Sequence, residues 1–447
     1  MLHQILLVAA FLTFLVLGLW IKKSPSRGRF REFAISDGKR AWFPLAAGVS
    51  MTYVGGAATL NMSSIGYQYG WWGLIDPVAV LLGTVIVALF IRSYRRDMTV
   101  SVGQLLSGLD KKLSVFIGVI TSLVYVLMVA AQFVALEKLI KPYFPGISEH
   151  ILVTIPPLAV FLYVFLGGFR SVTKTDILQY LMILVFLILP ILFVVTMTNP
   201  ASSHIQPPIH TQSMSINLAI LFALSVLFVP VSQDAVLRAK AAKDERAART
   251  GFVAGGISYF VIVACSIYIG IYFASHGMEL TDPETVLPHF FAEYLPILGV
   301  VSIIAVMSAI ISTLDSFTLS AVVALTGDVL QSRTRLDSQD SKAPTLRIST
   351  IIVYLLAASV ALFFNEILGL ILTGLLLYVS VLIPIALGRW LKIGSGLLFI
   401  GGLGITVFIV VVEACAISLE PKAVIYPLIH TAYVIVIYWL HRGRGVR

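Results

Sequence analysis

Charge is what this sequence most lacks. Only 12% of its 447 residues are Asp, Glu, Lys or Arg, against 58% hydrophobic, where a soluble domain carries about 25% charged residues. A single soluble core also stops growing at roughly 250–300 residues. So much apolar surface, at a mean hydropathy of +0.96, has the lipid bilayer as its solvent. Cysteine is nearly absent. Cys265 and Cys415 lie in apolar runs and read as small buried hydrophobes, with no spacing for a disulfide or a metal. A soluble domain is missing as well, since the longest breaks between apolar runs are 199–213, 276–296 and 331–346. No paired His, Cys or acid cluster falls at membrane depth, which excludes an embedded enzyme, and no symmetric pore motif supports a channel. His150, His204, His210, His276 and His289 fall on the expected outer side without metal-ligand spacing and read as solvated.

What is there is a series of apolar runs of the length a bilayer demands, about 20 residues each. Thirteen are expected, at 2–20, 44–66, 71–91, 114–136, 150–167, 175–197, 214–232, 252–274, 296–327, 347–364, 366–388, 394–418 and 423–440. The first has no basic residue before it and Lys22 and Lys23 directly after it. That polarity is the reverse of a cleavable signal peptide, so it reads as a retained helix with its N-terminus outside. The net charge of +9 suggests nucleic acid only until its distribution is followed. With thirteen spans and the N-terminus outside, every Lys and Arg falls in an inside segment except Lys138, Lys141 and Lys422, out of 31 in all. This is the positive-inside bias of a multi-pass protein, and the C-terminus is then inside. The basic excess is a topology signal with an affinity for anionic lipid, and no nucleic-acid partner is expected.

Several stretches are wrong for structure alone. The second run carries Ser50-Met51-Thr52-Tyr53-Val54-Gly55-Gly56. A Gly-Gly pair in mid-span invites unwinding, which is tolerated at depth only where backbone is buried or lines a site, and freed carbonyls are cation ligands. The same glycines also serve close helix packing. In the ninth run Ala309, Ser312, Thr313 and Ser316 share one helical face, rich in oxygen, with Asp315 at its border. An intramembrane carboxylate is costly and usually functional. The segment from Gly167-Gly168 to Thr175-Asp176 reads as a tight inner hairpin, Gly-Gly ending one helix and Thr175 or Asp176 capping the next; Asp176 at that mouth also suits a cation exit path. Asp76, after Trp71-Trp72-Gly73, touches solute or caps a helix, and Glu413 reads as an outer helix end in water.

Four segments in order resemble the sodium:solute symporter family, which includes the sodium/galactose and sodium/proline symporters. They are Gly167-Gly168-Phe169-Arg170-Ser171-Val172-Thr173-Lys174-Thr175-Asp176-Ile177-Leu178-Gln179, the Gln233–Asp244 loop with its Arg238 and Ala241-Ala242-Lys243, Ala309-Ile310-Ile311-Ser312-Thr313-Leu314, and Gly327-Asp328-Val329. The resemblance runs from about residue 35 to 390. It implies an all-α polytopic fold with a leucine-transporter-like five-plus-five inverted repeat and broken second and seventh spans. The repeats are expected at 42–197 and 214–388, with an extra N-terminal helix and inner linker at 1–41 and additional helices at 394–447. It implies a sodium site from the carbonyls of Met51, Val54 and Ala309 and the hydroxyls of Ser312 and Thr313. A second sodium position or exit path is implied at Asp176, Ser312, Asp315 and Ser316. Tyr53, Ala58, Asp76, Ser225 and Phe228 are the expected solute contacts.

The resemblance has a departure with chemical content. Tyr53-Val54-Gly55-Gly56-Ala57-Ala58 lacks the Asn or Asp of the sugar and proline symporters, and positions near Ala58, Pro77, Val80, Ser225 and Phe228 are mostly apolar. A sugar needs many fixed donors and acceptors, so a small organic acid, an amino acid or a partly apolar solute is expected instead. The expected function is therefore sodium-coupled import of a small organic solute across a bacterial-type inner membrane. The alternative is a symporter-like sensor acting with a partner protein. A fused sensor needs an output domain, and the chain ends at Arg447, seven residues past the last run.

Overall fold

The computed structural model describes residues 2–20, 30–36, 38–96, 99–108, 110–188, 192, 215–276, 279–295, 298–330, 343–414 and 422–443. Within them the chain is helix after helix, as lipid requires when every backbone group must be satisfied within its own segment. The one isolated bridge among the described residues joins Arg40 to Ala242. The helices are α1 (Leu2–Trp20), α2 (Phe30–Ile35), α3 (Trp42–Tyr53), α4 (Met62–Tyr69), α5 (Ile75–Leu89), α6 (Ile91–Arg95), α7 (Val102–Ser107), α8 (Lys111–Ile140) and α9 (Glu149–Ile183). Then follow α10 (Ile216–Ala223), α11 (Ser225–Val231), α12 (Gln233–Ala241), α13 (Glu245–Ser275), α14 (Val286–Tyr294), α15 (Leu298–Ala324), α16 (Ala343–Phe363), α17 (Ile367–Trp390), α18 (Ser395–Ala414) and α19 (Lys422–Gly443). By length and apolarity, 7 helical segments of the described chain can cross a membrane, or 8 if 218–231 and 233–241, bent by 42°, form one broken span. The division expected at Asn365-Glu366 is present, between α16 and α17.

Two of the breaks shape the interior. After Tyr53 the helix stops: Val54 takes φ −80°, ψ 71°, the Gly55 amide turns back to the Tyr53 carbonyl, 2.9 Å away, and the Gly56 amide is taken by Gln132 Oε1 of α8 at 2.8 Å. A π-helical turn, Ala57–Asn61, then leads into α4. The expected unwinding at Gly55-Gly56 is thus observed. The seventh run is interrupted at Leu224 and again at Ser232, whose hydroxyl caps α12 by accepting from the Ala235 amide.

Three expectations are corrected. Helical hydrogen bonding continues from Glu149 to Ile183 with no non-helical residue at Gly167–Thr175, so Asp176 lies inside α9 and is not an N-cap. Glycine costs a helix only about 1 kcal/mol, less than unsatisfied backbone costs in a bilayer. Second, Gln233–Asp244 is not a loop over most of its length. α12 occupies most of it and is buried along its whole length, because its charged residues are paired inside the protein. Third, the 276–296 segment carries α14, whose Val286, Leu287, Phe290 and Phe291 are buried at helical spacing. The expected loop 199–213 lies outside the described residues, as does Cys415; Cys265 is half-buried.

α13 packs along α3, α4 and α5, and α15 along α8 and α9. Glycines permit the first of these. A Cβ on Gly255 would stand 2.7 Å from Val49 Cβ, and one on Gly270 would overlap the Ser63 carbonyl oxygen. Asp110 caps α8 by accepting from the Leu113 amide at 2.8 Å. That amide and then the Ser395 hydroxyl hold its carboxyl below the usual carboxylate range.

Candidate cation and solute sites

The break after α3 lies against the oxygen-rich face of α15. Thr313 Oγ1 donates to the Met51 carbonyl at 3.0 Å, and Met51, Ala309, Ser312 and Thr313 are all buried. Met51 and Thr313, two of the five expected sodium ligands, are therefore in contact across the two helices. Ser312, one residue earlier, turns the other way and donates to Asp176 Oδ1 at 2.6 Å.

Around Asp176 a second cluster forms, and its centre is a residue of the expected Gln233–Asp244 loop. Arg238 of α12 is 3% exposed, and its Nη2 stands 3.2 Å from Asp176 Oδ2. Nη2 also donates to Ser316 Oγ at 3.0 Å, and Nε to Thr52 Oγ1 at 2.8 Å. Ser316 in turn reaches Asp315 Oδ1 at 3.5 Å. The expected grouping of Asp176, Ser312, Asp315 and Ser316 is real, and a guanidinium lies in it. Gly48 makes room, since any Cβ there would strike the Arg238 guanidinium.

Asp234, also on α12, is a second residue that sequence reasoning missed. It is buried and accepts from Tyr53 Oη at 2.6 Å and from Tyr125 Oη. Tyr53 and Tyr125 come from α3 and α8, so this carboxylate joins three helices just beyond the α11–α12 break. The available signal was helical: Pro230, then Ser232 in N-cap position, then apolar Val236 and Leu237 at core spacing.

Beside these clusters lies a cavity of about 80 Å³ lined by Tyr53, Asp76, Ser225, Phe228 and Thr313, among others. Four of the five expected solute residues are thus at the cavity; Ala58 is buried away from it, and Ala57 lines it instead. Asp76 is not a helix cap exposed to water. Its Oδ1 accepts from Ser225 Oγ and its Oδ2 from Tyr259 Oη, both at 2.9 Å. Asn61 and Leu368 line this cavity and also a much larger vestibule of about 970 Å³. The vestibule holds Lys138, which pairs with Asp282 at 2.8 Å and Glu284 at 2.6 Å. Burial pushes the Glu284 carboxyl up, against the pull of the Lys138 ammonium. Glu413 is exposed, as expected, and accepts from Tyr426 Oη at 2.8 Å.

Comparison with known proteins follows this geometry. The model of the sodium:solute symporter family matches residues 33–387. Sodium/glucose cotransporter 1 of Oryctolagus cuniculus is 23% identical over 180 residues, 39% of this chain and 27% of that protein. Its counterpart in Mus musculus is 22% identical over 186 residues, 40% of this chain and again 27% of the relative. The match therefore spans little more than a quarter of the length of these relatives. A Na+-coupled sialic acid symporter, solved in a substrate-bound outward-open state, has a TM-score of 0.75 at 18% identity, covering 98% of this chain and 97% of the other. A nucleobase-cation-symport-1 family transporter, closed on bromovinylhydantoin, has a TM-score of 0.58 at 13% identity, with 89% and 92% covered. The fold is shared with these transporters, and they are not enzymes. With its model matched over residues 33–387 of 447, the chain belongs to the sodium:solute symporter family.

Proposed function

We propose that this protein is a sodium-coupled symporter that imports a small, partly apolar organic solute by alternating access. It sits in a bacterial-type inner membrane as thirteen spans, N-terminus outside and C-terminus inside. Residues 42–197 and 214–388 are its two inverted repeats, and 394–447 its additional helices. The observation that carries this reading is the contact between the α3 break and α15, where Thr313 Oγ1 and the Met51 carbonyl stand 3.0 Å apart. Sodium is a hard cation that takes oxygen ligands, and a carbonyl freed from helical bonding beside a hydroxyl is such a pair. The proposed site uses the carbonyls of Met51, Val54 and Ala309 with the hydroxyls of Ser312 and Thr313. Asp176, Asp315 and Ser316 form the exit path next to it. Arg238 already supplies a positive charge there, which favours a passage over a second resident ion. Tyr53, Asp76, Ser225 and Phe228 face the solute.

The test is sodium-induced stabilisation of the purified protein, which follows RT ln(1 + [L]/Kd). At sodium about 100-fold above Kd this amounts to about 2.7 kcal/mol. In Ser312→Ala/Thr313→Ala, alanine keeps the helix and removes two ligands, so the sodium shift is expected to fall to a small fraction of that. A full sodium shift in the double variant overturns the assignment.

A further inference from the structure

Asp76 is an intramembrane acid with no cation partner among the described residues. Its partners are two neutral hydroxyls, Ser225 Oγ on Oδ1 and Tyr259 Oη on Oδ2. Both hydroxyls can donate to an ionised Asp76. The side chain is 8% exposed and opens onto the 80 Å³ cavity. Among the described residues no Lys, Arg or His lines that cavity, and Asp76 is its one carboxyl group. An ionised acid at membrane depth ordinarily pairs with a cation or faces a water-filled pathway. Asp176 has Arg238, while Asp234 and Asp328 are held by hydroxyls as Asp76 is; of these four acids Asp76 alone lines the cavity.

The rest of the cavity is built to the same end. Tyr53, Phe222, Phe228, Tyr259 and Phe317 bring aromatic rings to it, and such rings attract an organic cation through their faces. Met62 and Met128 are adaptable apolar surface for the body of a solute. The way in has the same sign, since the vestibule is lined by Asp282, Glu284 and Glu366 against Lys138 alone. A passage with an excess of acids concentrates cations and depletes anions.

Resting on the proposed symport, we infer that the solute carries a protonated or quaternary amine, held on Asp76, with an apolar body against the aromatic and methionine walls. A carboxylate-only solute has no matching group here, since no basic side chain among the described residues lines the cavity.

The experiment uses the full-length protein in detergent or nanodiscs, with thermal stability as the readout. Sodium is titrated first without solute; its shift reports on the symporter reading alone. At saturating sodium, n-butylammonium and tetramethylammonium are then compared with n-butanol and butyrate, which match in size and differ in charge. The amines are expected to stabilise the wild type, the alcohol and the carboxylate to do so at least tenfold more weakly. Asp76→Asn keeps the polar contacts and loses the charge, so amine affinity is expected to fall at least tenfold. A sodium shift with preference for butyrate or butanol overturns the amine while leaving symport in place. Equal response to all four probes overturns it as well. These wild-type comparisons decide the matter even where Asp76→Asn does not fold. Loss of the sodium shift itself points instead to failure of the symporter reading.

Discussion

Arg238, 3% exposed, reaches three polar groups: Asp176, Ser316 and Thr52 accept from it, and Asp176 is held in turn by Ser312. Taking two charges out of water is expensive, and their attraction offsets this only with good geometry and satisfied remaining atoms. Removing one member of such a pair leaves the other uncompensated, at about 3–5 kcal/mol. Arg238→Met in sodium-free buffer is therefore expected to lower stability by about that amount, whereas Asp176→Asn/Arg238→Met recovers at least half of it. The loss in Arg238→Met should also shrink as sodium is added, because sodium can then settle on Asp176. Thermal unfolding of the two single variants and the double variant, with and without sodium, measures this. Additive losses that ignore sodium would show that the pair is not coupled. Little of this was legible beforehand. A hydropathy window hands charged residues to loops, so Arg238 and Asp234 fall in the expected Gln233–Asp244 loop, and neither residue type nor spacing tells a paired guanidinium from a solvated one. The α15 hydroxyls were legible because helical periodicity alone puts Ser312 and Ser316 on one face.

Among the helices, glycine has two opposite effects, and composition does not separate them. At Gly55-Gly56 the helix breaks, and Gln132 takes the freed Gly56 amide; at Gly167-Gly168 it continues. The difference is the neighbour: α8 offers a side-chain acceptor to the first pair, and a partner of that kind is a tertiary fact absent from the local sequence. Along α13 the glycines instead set the distance between helices. At Gly270 a Cβ would overlap the Ser63 carbonyl oxygen and stand 2.6 Å from the Tyr67 amide nitrogen. Both are backbone of α4, which cannot rotate aside. Alanine in a helix gains about 1 kcal/mol over glycine, so Gly270→Ala is a contest between propensity and overlap. Overpacking of this kind costs about 1–3 kcal/mol, and a net loss of stability is expected. Gly404→Ala, within α18 and with nothing within 4 Å of its Cβ, is the matched control and gains up to about 1 kcal/mol. Gly270→Ala as stable as that control would refute the close α4–α13 crossing.

At the scale of the whole molecule, the cavity shares Asn61 and Leu368 with the vestibule. The vestibule opens beside Lys138, Asn365 and Glu366. Away from it, the Arg40 amide bonds to the Ala241 carbonyl and the Lys243 amide to the Arg40 carbonyl, both at 2.9 Å. Arg95 adds bonds to the Ala239 and Ala242 carbonyls. The start of α3 is thus fastened to the end of α12, and Tyr53–Asp234 lies between that clasp and the cavity. Which end faces the cytoplasm rests on the basic residues: Arg92, Arg95, Arg96, Arg389 and Lys392 lie on the expected inner side, Lys138 and Lys141 on the outer. One helix more or fewer in mid-chain inverts every segment after it and destroys the bias. Single cysteines on a background lacking Cys265 and Cys415 make the test. Asn365→Cys is expected to react with a membrane-impermeant maleimide in intact cells, and Lys392→Cys only after the membrane is opened. The two residues flank α17, whose 24 residues cover about 36 Å at 1.5 Å each, enough for one crossing of a hydrocarbon core of about 30 Å. Reporters at the N- and C-termini should fall on opposite sides, as an odd number of spans demands. Termini on the same side would sink the thirteen-span topology. Protection of Asn365→Cys together with exposure of Lys392→Cys would keep α17 as a span but reverse the transporter in the membrane, placing the acidic vestibule at the cytoplasm and making the pictured conformation inward-facing.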